Sequence, residues 1–158
     1  MRLGVTMNRT TALLLAALPT AALAEGPQPS DSQMALYRAL SGRHFEAGCA
    51  ALVELSPTLA DDLVWLAENT HQPAWVAIRA ADCVLDLKPA EADTAARRWM
   101  GSEDHKGLAL VTVQHLDTLP LEQSTALVQA GLSGPLADTL RPRVARLHTP
   151  ELSALATP

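Results

Sequence analysis

Histidine is the side chain best able to move a proton or bind a metal near neutral pH, and the chain carries five: His44, His71, His105, His115 and His148. No two stand four residues apart and no His-Glu-x-x-His run occurs, so the paired helical ligands of a zinc site are missing. Glu103-Asp104-His105 groups three possible ligands. Adjacent residues at a helix start point in different directions, however, and an acid-rich first turn accounts for them. Asp61-Asp62 has the same explanation. There is no Gly-x-Ser-x-Gly turn, no phosphate-binding loop and no glycine-rich dinucleotide turn. No catalytic residue, metal site or cofactor is therefore expected. Arg97-Arg98 and Arg141, Arg143 and Arg146 read as solvated helix ends or as contacts to an anionic partner group.

The two cysteines, Cys49 and Cys83, belong to a different chemistry. They have no Cys-x-x-Cys spacing and no neighbouring histidine, which leaves a disulfide as the default if the chain reaches an oxidising compartment. The N-terminus points there. Arg2 and Arg9 make a basic start, Thr11 to Leu18 a short apolar run broken by Pro19, and Ala22-Leu23-Ala24 a small-x-small cleavage site. Residues 1–24 thus read as a signal peptide. Its apolar run is far short of the roughly 20 residues that a spanning helix needs. Cleavage leaves Glu25 first, and 25–30 reads as a disordered leader. It would also remove two arginines and no acid from a chain of net charge −5, leaving −7. That balance disfavours nucleic acid and anionic lipid as partners. Export without an anchor implies a soluble protein, with the Gram-negative periplasm as the expected compartment.

The elements that would position these residues are helices. Phe and Tyr occur once each, while Ala and Leu are abundant. The stretch Pro73 to Pro89 reads as one amphipathic helix, with Trp75, Ile78, Ala81 and Leu85 on an apolar face and Arg79, Asp82 and Asp86 on another. Gly107 to Val113 is rich in β-branched residues. A lone strand would leave its backbone unpaired, so it is assigned to a helix running through Leu119. Trp65, Trp75 and Trp99, on three successive helices, are expected in the core between them. Pro142 should kink or restart the last helix, and 149–158 is expected to fray. Pro57, Pro89, Pro120 and Pro150 follow one another at spacings of 32, 31 and 30 residues. A near-constant period of this size points to a repeat architecture. Overlaying the periods puts Leu85 on Leu116 and Leu147, Val113 on Val144, and Glu91 and Thr94 on Glu122 and Thr125.

Val76-Ala77-Ile78-Arg79-Ala80-Ala81 followed by Val84-Leu85 resembles the second-helix signature of HEAT-like repeat proteins, and the likeness extends over most of Thr58 to Leu147. The resemblance implies an all-α fold, a short right-handed α-solenoid of stacked antiparallel helix pairs spanning 31–148. It also implies that an arginine at the place of Arg79 hydrogen-bonds a neighbouring repeat. The equivalent places hold Leu110 and Arg141, so that ladder is interrupted. Solenoids bind along extended surfaces made of equivalent positions. Asp86, Asp117 and His148 form one such row and His115 and Arg146 another, and these five are the candidate partner contacts. The functional expectation is a protein- or peptide-binding adaptor without catalytic activity. Two alternatives stay open: a small-ligand protein or hydrolase using the scattered histidines and acids, and a structural subunit of an envelope assembly.

Overall fold

The computed structural model describes residues 27–42, 45 and 48–157. The expected signal peptide, and Glu25 and Gly26 of the leader, lie outside the described residues, as does His44. Residues 27–30 are exposed and carry no regular structure.

The described chain is all-helical. Eight α-helices run in order: α1 (Asp31–Ser41), α2 (Leu59–Asn69), α3 (Ala74–Leu87), α4 (Pro89–Met100), α5 (Lys106–His115), α6 (Leu121–Leu132), α7 (Ala137–Val144) and α8 (Pro150–Ala154). Two 3-10 segments, Cys49–Leu55 and Glu103–His105, join them. Ser30 caps α1 with a reciprocal box, its hydroxyl accepting from the Gln33 backbone while the Gln33 side chain accepts from the Ser30 N–H. The stretch between α1 and α2 carries the 3-10 turn Cys49–Leu55, entered through Gly48 at φ 67°. Glycine suits that left-handed backbone because it has no Cβ to clash.

The periodic prolines mark helix starts. Pro89 and Pro150 are the first residues of α4 and α8, Pro120 is the N-cap of α6, and Pro57 lies two residues before α2. Proline suits a first turn because the N–H it lacks would have no partner there. Gly107 to Val113 is helical within α5, which ends at His115 rather than Leu119. Pro142 sits inside α7 without ending it. The tail is not frayed: Pro150–Ala154 is a helix, and Leu152 and Ala156 are buried. Two apolar anchors offset the ordering entropy of so short an element.

Packing joins elements close in the chain. Helix α2 lies on α1, α3 and α4; α3 lies on α5; α4 on α5 and α6; α6 on α7 and α8. One continuous core results, running from Leu36 and Leu40 in α1 to Leu152 in α8. The overlaid positions share their environment: Leu85, Leu116, Val113 and Val144 are buried, and Leu147 packs partly against them. Gly131 allows α6 to come close to its neighbours, since a Cβ there would meet the ends of Leu140 and Met100 at 2.7 and 2.8 Å.

The expected apolar face of α3 needs correction. Ala81 and Leu85 are buried, with Val76, Ala80, Cys83 and Val84, but Trp75 and Ile78 are exposed. The buried stripe is rotated from the one anticipated and runs through Val76, Ala80 and Val84, on a helix that α1, α2 and α5 pack against. Of the three tryptophans, only Trp99 is fully buried; Trp65 is half-buried. No helix among the described residues is long and apolar enough to cross a membrane.

Candidate functional site

The rows of equivalent positions do not stand open. Asp117 lies just beyond α5 and reaches the start of α8. Its Oδ2 accepts the His148 backbone N–H at 3.0 Å and its Oδ1 the Thr149 N–H at 2.9 Å. Thr149 is the N-cap of α8, so Asp117 satisfies the free donors at that terminus from a distance of 31 residues in sequence. His148 Nδ1 adds a contact at 3.2 Å. The His148 N–H is the main reason that the Asp117 carboxyl titrates low, at about 2. Partial burial opposes this, and the Thr149 backbone and side chain and the His148 ring add to it.

His115, in the second row, hydrogen-bonds Asp82 of α3 through Nε2 at 2.8 Å. Asp86 and Arg146 are exposed and make no side-chain hydrogen bond or ion pair among the described residues. Of the five candidate contacts, Asp117, His148 and His115 take part in ties between successive segments, with the His148 side chain still exposed, and Asp86 and Arg146 are exposed surface groups.

The same spacing recurs in ties that the sequence reading missed. Asp62 of α2 is buried, and its carboxylate accepts from Ser32 at 2.7 Å, Gln33 at 2.9 Å, Ser56 at 2.6 Å and Thr58 at 3.2 Å. Burial raises its pKa, yet the four hydrogen bonds, Ser56 foremost, outweigh that and leave the carboxyl below its ordinary value. A signal existed: Asp62 stands three residues after Leu59 and four before Leu66, on the buried stripe and not the solvated one. Glu68, also in α2, takes the Arg98 guanidinium and the Trp99 indole N–H, the latter at 2.8 Å, all on Oε1.

Arg79 donates from one guanidinium nitrogen to the carbonyls of Leu40 and Gly42, both at 2.6 Å, at the end of α1. Its carbon lies 5.8 Å from the Phe45 ring centroid. Arg141 donates to Ala156 O at 3.1 Å, while Leu110, at the intervening position, packs against the core. Cys49 and Cys83 are disulfide-bonded, with Cα atoms 5.1 Å apart, and this joins the 3-10 turn to the buried side of α3.

Two surface features stand beside these ties. The first is the outer stripe of α3, Trp75, Ile78, Asp82 and Asp86, all exposed, although Asp82 holds His115 and the Trp75 indole N–H donates to Ser41 O at 3.4 Å. The second is a cleft of about 370 Å³ between the end of α2, the start of α3 and the start of α5. Ala67, Ala74, Ala77, Ile78 and Leu108 give it apolar walls, and Glu68, Thr70, His71, Asp104 and His105 its polar ones. His105 closes the 3-10 turn Glu103–His105, which has no side-chain capping bond among the described residues. Its Nδ1 is buried without a hydrogen-bond partner. A larger cleft of about 500 Å³ at the starts of α2 and α4 is lined by Thr58, Asp61, Lys88 and Glu91 among others, and there Lys88 and Glu91 face each other at 3.8 Å. Among the described residues, no group of three or more His, Cys, Asp or Glu is placed to hold a metal ion.

No family model, no curated protein and no solved structure matches this chain. The fold and its polar ties define an all-helical protein whose helices are linked, at about one period in sequence, by side chains and one disulfide.

Proposed function

We propose that the chain is an exported adaptor: a short right-handed HEAT-like solenoid that binds a protein or peptide partner and has no catalytic activity of its own. The observation that carries this reading is the outer stripe of α3. Trp75 and Ile78 are 47% and 38% exposed, in line with Asp82 and Asp86. An exposed tryptophan beside an aliphatic side chain, flanked by charge, is the composition of an interaction hot spot. The helix that bears it is anchored three ways: by the Cys83 disulfide, by Arg79 on the end of α1, and by a buried face. Such anchoring lowers the entropy that a partner must overcome on binding. The contact surface then lies on Trp75, Ile78 and Asp86 rather than on the wider row of Asp86, Asp117, His148, His115 and Arg146.

Stacking is supported by the order of packing, by helix starts at the periodic prolines, and by Arg79 and Arg141 each donating to carbonyls at the end of another helix. Export is supported by the signal-like N-terminus and by the disulfide, which persists only in oxidising surroundings.

Crosslinking in intact cells, followed by mass spectrometry, tests the reading on the wild type and on a Trp75→Ala, Ile78→Ser double variant. The variant is expected to fold and to lose the partner. An unchanged partner set with an intact fold removes the stripe from the interface. Sequencing of the purified protein is expected to start at Glu25, and Met1 retained in the membrane fraction would refute export.

A further inference from the structure

We infer that the cleft between the start of α3 and the start of α5 receives a lysine or arginine side chain of the partner polypeptide. The inference rests on the adaptor reading and names the chemistry that the partner must bring.

No lysine or arginine lines this cleft, although two carboxylates do. Glu68 is the better placed, since its side chain is only 22% exposed. Its Oε1 is fully engaged by Arg98 and Trp99, whereas its Oε2 takes no hydrogen bond among the described residues. Asp104 is exposed on the opposite wall and is in no ion pair there. The free capacity of Glu68 Oε2 and of Asp104 is that of acceptors, which suits a donor-rich cation.

The walls suit the rest of such a side chain. Ala74, Ala77 and Gly107 are small and leave room, while Ile78 and Leu108 provide apolar surface for methylenes. Lysine and arginine carry that combination, an aliphatic stem with a charged head. Ile78 belongs both to the cleft and to the exposed stripe, so a partner lying on Trp75 and Ile78 passes the cleft mouth. The acids of the stripe, Asp82 and Asp86, extend the same sign of charge and favour a basic segment.

The test is a heteronuclear NMR titration of the full chain. The probe is an acetylated, amidated Ala-Leu-Lys-Leu-Ala peptide, with versions carrying arginine, norleucine, glutamate or free spermidine in its place. The lysine and arginine peptides are expected to shift signals from Thr70 to Ile78 and from Asp104 to Leu108, including the His105 ring. Norleucine is expected to bind at least about tenfold more weakly, because it keeps the stem and loses the charged donor. Glu68→Gln, which keeps an acceptor for Arg98 and Trp99, and Asp104→Asn should each weaken the lysine peptide several-fold. Their thermal melts report that the fold is intact.

Equal binding of norleucine, shifts confined to other surfaces, or binding of spermidine without either basic peptide would each overturn the inference. Loss of the crosslinked partner in the Trp75, Ile78 variant, with no effect of Glu68→Gln and Asp104→Asn on probe or partner, overturns this inference and leaves the adaptor reading standing. Probe binding in the cleft, with no polypeptide crosslinked in cells, overturns the adaptor reading and with it the assignment to a partner side chain.

Discussion

The two ends of the molecule are held by different means. At the N-terminal end, α1 and the 3-10 turn Cys49–Leu55 are joined to α2 and α3 by a disulfide, by a buried carboxylate with four donors, and by Arg79. At the C-terminal end, α8 is held by the partly buried Asp117, by Arg141, and by Leu152 in the core. In the first region a 3-10 turn stands between α1 and α2, and the disulfide ties that turn to α3. In the second, Asp117 alone accepts from both backbone donors at the start of α8. The irregular end is thus tied covalently and through a buried carboxylate, and the short helix at the other end through one carboxylate, one arginine and one buried leucine.

Removal of the disulfide should break this comparison most sharply. Replacing Cys49 and Cys83 by serine frees a loop between residues 34 apart, and a loss of about 4 kcal/mol follows from the chain-entropy model. Urea unfolding reads this loss, and equal stability of the two forms would mean that the N-terminal end does not depend on its staple. Asp62→Ala should cost about 3 kcal/mol, since four donors lose a buried charged acceptor. Hydrogen exchange should show the loss first in α1 and the 3-10 turn, and uniform exchange across all helices would argue against two regions.

Asp117→Ala should cost about 1 kcal/mol, the usual worth of a helix cap, with exchange rising in α8 alone. The pH dependence has the same sign. The folded Asp117 carboxyl titrates at about 2, below its ordinary 3.8, so the unfolded chain binds more protons in that window. Its contribution is present above about pH 4 and fades as pH falls towards 2. Asp117→Asn should flatten that part of an acid-unfolding profile, and a profile identical to wild type would remove Asp117 from the cap. Smallest of all, Asp86→Ala and Arg146→Ala should each change stability by less than about 0.5 kcal/mol, as unpaired surface groups do. Thermal melts measure this, and a loss above 1 kcal/mol would reveal a tie involving either residue.

Local chemistry was readable in the sequence. The helical class follows from composition and from the 3.6-residue spacing of leucines and alanines. The cysteine pair was legible because two cysteines leave one possible intramolecular pairing. The arginine positions were legible as well, since Arg79 and Arg141 both reach backbone carbonyls of another helix and Leu110 joins the core. A mean period also placed Asp117 and His148 at equivalent positions, but it could not tell a tie from an open contact.

Tertiary structure decided the rest, because burial is a property of neighbours. Trp75 and Ile78 have the same helical spacing as a core stripe, and only the packing of the neighbouring helices on α3 left them exposed. Asp62 reads as a solvated first-turn acid until Ser32, Gln33, Ser56 and Thr58 converge on it from three segments. Glu68 and His105 lie 37 residues apart and become walls of one cleft only when α5 is laid beside α3. Sequence determines which faces can be apolar and where backbone donors go unpaired. Which polar groups meet across helices depends on packing angles and distances that no single helix specifies.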